Sequence, residues 1–352
     1  MTLDLTDLMR EAMQRGASDV HLLTHQPPAF RVHGAIELSP RPAVDEATLT
    51  RALDAILTEA QRAEWFTRKQ LCFSWTLPEL GYFRVSVYSH MGRMEAAIRI
   101  GQRQVPAFDE LGLPEVLAEL AYKPYGLVLV TGPTGVGKTT TLNAILGRVN
   151  AEARKKIITI EDPVEFLMPS GKSLVVQQEV GLDCDSFGAA LRHALRQDPD
   201  ILCIGELRDL ETIAAALTAA ETGHVVFGTL HTTGAAGTIS RIVDVFPANQ
   251  QNHVRSQLAH VLRATMSQRL LPRADGDGRV LVYELMLATD AVRNVIRDGR
   301  LHQLGTVLQT GQAQGQVRVD DMVRDAWLAG DITYETAHGA VTDPGVLQAA
   351  RR

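Results

Sequence analysis

The chain is short of cysteine, of lysine and of long apolar runs, and each shortage excludes something. Its three cysteines (Cys72, Cys184 and Cys203) are odd in number and far apart in 352 residues. They supply neither a disulfide framework nor the CxxC pairs of a zinc site, so no zinc is expected. No run approaches the roughly 18 apolar residues of a membrane span; Gly126–Val130 and Ile213–Ala220 both stop well short. The opening MTLDLTDLMR is acidic and amphipathic and has no basic stretch ahead of an apolar one, so it does not read as a secretory signal. A cytoplasmic compartment is the expectation. A net charge of −6 and a pI near 6.0 leave no global basic field to recruit nucleic acid. The 35 basic residues divide into 29 Arg and 6 Lys, which makes the position of each lysine informative.

What remains is an ordinary globular composition, 45% hydrophobic and 22% charged, enough to bury a real core. At about 150 residues per domain, two domains are expected. The first hundred residues read as a small α/β unit. Leu5, Leu8, Met9, Ala12 and Met13 recur at helical spacing, and Gly16 supplies a stop. Strand-like stretches follow at Asp19–Leu23 and Ala29–His33. Asp45 is a candidate N-cap for a helix carrying Leu49, Leu53, Ile56 and Leu57. Three further strands are expected at Leu71–Thr76, Tyr82–Tyr88 and Met94–Ile100. In the second, Phe83, Val85 and Val87 alternate with Arg84, Ser86 and Tyr88, which predicts one buried and one polar face. Gly101–Pro114, with two Pro and two Gly, reads as a linker or hinge.

Beyond residue 115 the pattern changes. Apolar strands at Leu127–Val130, Lys156–Ile160, Ile201–Ile204 and Val225–Gly228 alternate with helical stretches, which predicts a parallel sheet covered on both faces. From about Asn249 onward the reading is helical, apart from a strand near Arg279–Leu287.

Gly132-Pro133-Thr134-Gly135-Val136-Gly137-Lys138-Thr139 fits GxxxxGK[ST] between one of these strands and a helix bearing Leu142, Ile145 and Leu146. Glycines there let backbone N–H groups curl around a phosphate, and the helix N-terminus adds a favourable dipole. Lys138 is expected on the β- and γ-phosphates and the Thr139 hydroxyl on Mg²⁺, with Thr140 closing the motif. The chain is therefore expected to bind a nucleotide. Such a loop needs an acid after a second strand, and Asp200-Ile201-Leu202-Cys203-Ile204-Gly205-Glu206 offers Glu206 at a strand's carboxyl end. After Ile157–Ile160, Glu161, Asp162 and Glu165 place three carboxylates together, a pattern suited to a metal or a water nucleophile. His224 and His231 bracket the strand Val225–Leu230.

These segments, in this order, resemble the secretion ATPase superfamily, the motors of type IV pili and type II secretion. TGPTGVGKTTTLNA is similar to its Walker A segment and ITIEDPVEF to its acidic Asp box. RQDPDILCIGELRD is similar to Walker B and TGHVVFGTLHT to the His box. GASDVHLLTHQPPAFRVHG and FDELGLPEVLAELA resemble the family's amino-terminal domain and linker. Within the superfamily the likeness runs to the PilT-like retraction ATPases, because Ala291–Gly299 (AVRNVIRDG) is similar to their AIRNLIREG segment. Three places depart from that pattern. Val136 and Thr139 stand where Ser is frequent, Thr233-Gly234 replaces Asn-Ser, and Gly92-Arg93 reverses the usual order.

The resemblance implies an amino-terminal PAS-like α/β domain (1–100), a linker (101–114) and a RecA-like P-loop ATPase domain with a helical carboxyl-terminal part (115–352). It implies a homo-hexamer that binds ATP and Mg²⁺ and works at the inner face of the cytoplasmic membrane against a pilus platform protein. Part of each ATP site is then completed by a neighbouring subunit, and nucleotide state sets the angle across the hinge. Glu161 takes the role of water-orienting base, Glu206 and Thr139 hold Mg²⁺, and His231 senses the γ-phosphate. Arg84 and Arg99 match the arginines supplied in trans, better than Arg93 does. Three alternatives stay open: a pilus assembly or type II secretion motor, a RecA-like nucleic-acid translocase, and a nucleotide-binding regulator with little turnover.

Overall fold

The structure, a computed structural model, describes residues 2–77, 80–101 and 105–350. By packing density the chain divides into two compact units, the first Met1–Gln104 with Pro163–Leu167, the second Val105–Asp162 with Met168–Arg352. Residues 102–104 of the expected linker lie outside the described residues.

The first unit runs α1 (Leu5–Gln14), β1 (Ala17–Leu22), β2 (Ala29–Val32), β3 (Ala35–Leu38), α2 (Glu46–Asp54), α3 (Glu59–Arg68), β4 (Gln70–Leu77), β5 (Gly81–His90) and β6 (Arg93–Ile100). Its described residues form a six-stranded antiparallel sheet in the order β3-β2-β1-β6-β5-β4. The helices cap as their sequences suggest. The Asp45 carboxylate accepts from Thr48 N at 2.7 Å, and Asp4 does the same for α1 from Thr6 N at 2.8 Å. Phe83, Val85 and Val87 are wholly buried, beside Leu8, Met9, Leu49, Leu53 and Ile98, so the alternation expected for β5 holds. Strand β3 and helix α3 are additions. α3 starts on a reciprocal cap in which Thr58 Oγ1 accepts from Gln61 N and Gln61 Oε1 accepts from Thr58 N.

The second unit runs α4 (Val116–Leu120), β7 (Gly126–Thr131), α5 (Lys138–Glu152), β8 (Lys156–Glu161), β9 (Leu174–Glu179), α6 (Phe187–Ala194), β10 (Ile201–Ile204), α7 (Leu210–Glu221), β11 (Val225–Leu230), α8 (Ala235–Asp244), α9 (Gln251–Val261), β12 (Leu262–Pro272) and β13 (Arg279–Leu287). Helices α10 (Asp290–Arg297), α11 (Leu304–Thr310), α12 (Val319–Leu328), α13 (Tyr334–Ala340) and α14 (Gly345–Ala349) complete it. Its strands form one sheet in the order β13-β12-β7-β11-β10-β8-β9, parallel except for β13. One face packs on α7, α8 and α9 through Leu127, Leu129, Ile213, Ile239 and Leu258. The other packs on α4 and α5 through Val128, Val130, Leu117, Ile145 and Val149. Every residue of β7, β10 and β11 is buried, as strands covered on both faces require.

β12 corrects the helical reading of the carboxyl-terminal third. It extends from Leu262 to Pro272 and pairs in parallel with β7 and antiparallel with β13. Because both faces are buried, its apolar residues do not alternate, and a doubly covered strand has no period by which to tell it from a helix. Its register against β7 jumps between Leu262 and Ala264, leaving Arg263 as an extra residue. Beyond the bulge, Ala264 and Met266 lie in the core on the α5 face.

Candidate functional site

Parallel strands bring their carboxyl ends to one edge of the sheet, where ligands of such folds bind. β7 ends there in the glycine-rich loop, β8 in Glu161, β10 in Gly205-Glu206 and β11 in His231. His224, at the amino end of β11, lies at the opposite edge. Its Nδ1 is 3.0 Å from Ala219 O and it closes the preceding turn.

The loop folds around its own lysine. Lys138 is buried, and its Nζ donates to Gly132 O at 2.8 Å and Pro133 O at 2.9 Å. Gly132 has φ +138°, and a Cβ placed on it would sit 2.4 Å from Gln268 O. Thr139 and Thr140 are half-buried in the first turn of α5, and Asn143 Nδ2 donates to Thr139 O at 3.0 Å. Arg279, at the start of β13, donates to Gly135 O at 3.2 Å.

His231 joins two of the expected segments. Its Nε2 lies 3.2 Å from Glu206 Oε1, and its Nδ1 lies 3.3 Å from Thr134 Oγ1 in the loop. Arg208 Nε meets the same Glu206 oxygen at 2.5 Å. Burial works against the charged Glu206 carboxylate, but the Arg208 and His231 contacts outweigh it and hold the carboxyl below its ordinary range. Glu206 is therefore an anion at neutral pH.

Of the three carboxylates at and beyond the end of β8, Glu161 turns inward and is buried, whereas Asp162 and Glu165 are exposed. Among the described residues no group of three or more His, Cys, Asp or Glu side chains converges on one point. The expectation of a clustered acidic triplet gives way to a single positioned acid. Glu161 Oε1 accepts from Thr159 Oγ1 at 2.6 Å and Gln177 Nε2 at 3.1 Å. It lines a small cavity with Thr139, Asn143, Thr159, Gly205 and Thr229. The oxygens at this edge (the Thr139 hydroxyl, the Glu206 carboxylate, and Asn143 Oδ1, which has no described protein partner) are the hard donors that Mg²⁺ takes.

β12, which the sequence reading took as helical, and β13, which it left without a role, hold the site from outside. On β12, Ser267 Oγ accepts from Gly234 N at 2.8 Å, and on β13 Glu284 Oε1 accepts from Ala235 N at 2.7 Å. Ser267 and Glu284 face each other across the β12–β13 ladder and together seat the start of α8. Gly234, where the family pattern has Ser, takes φ +76° there. Gln268 holds the phosphate loop from the other face of the sheet. No sequence motif marks these residues, because their roles depend on strand pairing.

In the first unit Arg84 and Arg99 are paired positions of β5 and β6, side by side on the polar face. Arg99 Nε contacts Asp19 Oδ1 at 2.9 Å, while Arg84 is exposed and makes no ion pair among the described residues. Arg93 sits apart, 3.5 Å from Glu46. In the second unit, the segment Ala291–Gly299 covers most of α10 and the two residues after it, with Val292, Val295 and Ile296 buried. Arg293 donates to the backbone oxygens of Ala259, His260 and Leu262, capping the end of α9.

Comparison with known proteins agrees with this geometry. The family model described as "Type II/IV secretion system protein" matches residues 2–277. The type IV pilus retraction ATPase PilT of Pseudomonas aeruginosa is 43% identical over 335 residues, 95% of this chain and 97% of that one. The type IV pilus ATPase PilU of the same organism is 35% identical, covering 95% and 88%. A solved structure of the pilus retraction motor PilT with bound ADP superposes with a TM-score of 0.92 at 43% identity, over 99% of both chains. The DotB ATPase of Legionella pneumophila superposes at 0.84 with 26% identity, over 97% and 98%. With the family model spanning most of its length and relatives matching end to end, the chain belongs to the Type II/IV secretion system protein family of ATPases.

Proposed function

We propose that the chain is an ATP-hydrolysing motor that powers retraction of a type IV pilus, acting as a homo-hexamer in the cytoplasm against an inner-membrane platform protein. The observation that carries the reading is the meeting of the phosphate loop, Glu206 and His231 at one sheet edge through contacts of 3.2–3.3 Å. The retraction assignment draws on the likeness to PilT along the whole chain. The described residues contain no helix long and apolar enough to cross a membrane, in keeping with peripheral attachment.

Hydrolysis transfers the γ-phosphoryl group to water, so the protein's work is positioning and charge stabilisation. N–H groups of 132–139 and the α5 N-terminus bind the phosphates, and Lys138 leaves its loop carbonyls to pair with the β- and γ-oxygens. Glu161, held by Thr159 and Gln177, orients the attacking water and accepts its proton as the new O–P bond forms and the bond to the β-phosphate oxygen breaks. His231 bonds both Glu206 and Thr134, so a γ-phosphate arriving beside it reaches Walker B and the loop together. Mg²⁺, when bound, would be held by Thr139 and Glu206 and would offset charge on the phosphates. Arg84 and Arg99 are donated to a neighbouring copy, where such arginines are worth roughly 10³–10⁵ in rate in other NTPases.

The test is Glu206→Gln at the native locus, with surface pili counted and twitching scored. Excess pili without twitching supports retraction. Bald cells would reassign the motor to assembly.

A further inference from the structure

The phosphate loop is gripped by a residue of β12. Gln268 is 1% exposed, and both ends of its amide are used. Nε2 donates to Val136 O at 2.6 Å, and Oε1 accepts from Thr141 Oγ1 at 3.1 Å. The first bond settles which end of the amide is which, because Val136 O can only accept, and the Thr141 hydroxyl is left to donate to Oε1. A buried amide with both ends satisfied by the loop and the first turn of α5 ties two parts of the nucleotide site to one strand.

The peptide geometry gives this grip a chemical meaning. In a trans peptide the C=O and the following N–H point in opposite directions. Drawing Val136 O toward Gln268 therefore turns the N–H of Gly137 away from β12, to the side where the loop's amides serve a phosphate. The left-handed conformation of Gly137, φ +86°, is held by the same bond. The backbone oxygen of Gln268 also stands where a side chain on Gly132 would go, so one residue limits the loop at both ends. Without the amide, the Val136–Gly137 peptide is free to flip, and a flipped peptide presents an oxygen to the phosphate.

We propose that Gln268 is a positioning residue for nucleotide binding: it fixes the orientation of the Val136–Gly137 peptide and so pre-forms the phosphate cradle. The inference rests on the nucleotide reading above. It assigns Gln268 no contact with substrate and no part in bond breaking, so its loss falls on binding rather than on turnover.

The experiment uses the full-length protein and two variants, Gln268→Met, which keeps the volume and removes both bonds, and Thr141→Val, which removes only the bond to Gln268 Oε1. Affinity is read with a fluorescent ADP analogue, KM and kcat by steady-state ATPase, and folding by thermal melting without nucleotide. For Gln268→Met, Kd for ADP and KM for ATP are expected to rise about tenfold, the scale of one lost buried hydrogen bond. Its kcat is expected to stay within about threefold of wild type. Thr141→Val should fall between, and it carries the test if Gln268→Met does not fold. A Gln268→Met protein that melts lower yet binds ADP as wild type does overturns the proposal, because the bonds then serve only the fold. A fall in kcat at unchanged KM overturns it too. If the wild-type chain binds no ADP, the nucleotide reading itself fails, a result distinct from either of these.

Discussion

Replacing Gly132 by alanine tests how the phosphate loop keeps its shape. The residue has φ +138°, and a Cβ on it would lie 2.4 Å from Gln268 O and 3.0 Å from Val136 Cγ2. The obstructing oxygen belongs to a strand paired on both sides, so the loop must move instead. Backbone strain at such a conformation costs about 1–3 kcal/mol, and overpacking adds about 1–3 kcal/mol. If only about 2 kcal/mol of this falls on the binding-competent loop, ADP affinity drops about thirtyfold. Titration calorimetry with ADP measures that directly. Gly147→Ala is the matched control, since a Cβ there meets nothing within 4 Å. It lies in the interior of α5, where the exchange should stabilise by about 0.5–1 kcal/mol and leave ADP binding unchanged. Wild-type ADP affinity in Gly132→Ala would refute the claim that contact with β12 sets the loop's shape.

Three further outcomes are expected. Arg84→Ala should lose ATPase activity alone and recover part of it when mixed with Lys138→Ala subunits, as donation in trans requires; mixtures that stay inactive argue against it. Burial lifts the Glu284 carboxyl above its ordinary value of 4.5 despite the bond from Ala235 N. The unfolded chain gives up that proton first, so Glu284 costs stability progressively as pH rises from 4.5 to the raised value, and fully above it. The melting temperature of Glu284→Gln relative to wild type should therefore climb with pH across that window, and a pH-independent gap counts against the argument. Arg293→Ala removes a cap on three carbonyls of the α9–β12 junction and should cost about 1–3 kcal/mol in chemical denaturation; an unchanged midpoint would show that water replaces the guanidinium.

The legible parts of the fold were those with a local cause. The glycine spacing of 132–139, the alternation of Phe83, Val85 and Val87 and the Asp45 cap each follow from a few adjacent residues, and all are present. The reciprocal cap at Thr58 and Gln61 was equally local and could have been read from its spacing. β12 was not legible, because a strand buried on both faces has no period. Gln268, Ser267 and Glu284 became visible only once β12 was paired with β7 and β13. Glu161 was singled out through the family resemblance, and the end of β8 adds the physical distinction that it turns inward while Asp162 and Glu165 face out. The AVRNVIRDG segment carried family likeness, yet the role of its arginine as a helix cap depended on where α9 ends.

The extra residue at Arg263 is looped out of a ladder that stays in step with β7 on either side of it. Side chains on a strand alternate between faces, so a shift of one position exchanges them all. Ser267 serves the start of α8 on one face and Gln268 the phosphate loop on the other. Arg263 is fastened in place, its Nε bonded to Tyr125 O at 3.0 Å and its guanidinium 4.5 Å from the Tyr125 ring. Deleting that one residue would close the bulge and leave Ser267 and Gln268 on their present faces, because Leu262 and Ala264 already pair with consecutive residues of β7. The insertion thus ties the entry of β12 to the start of β7 through Tyr125, while the alternation beyond it sorts one side chain to each loop.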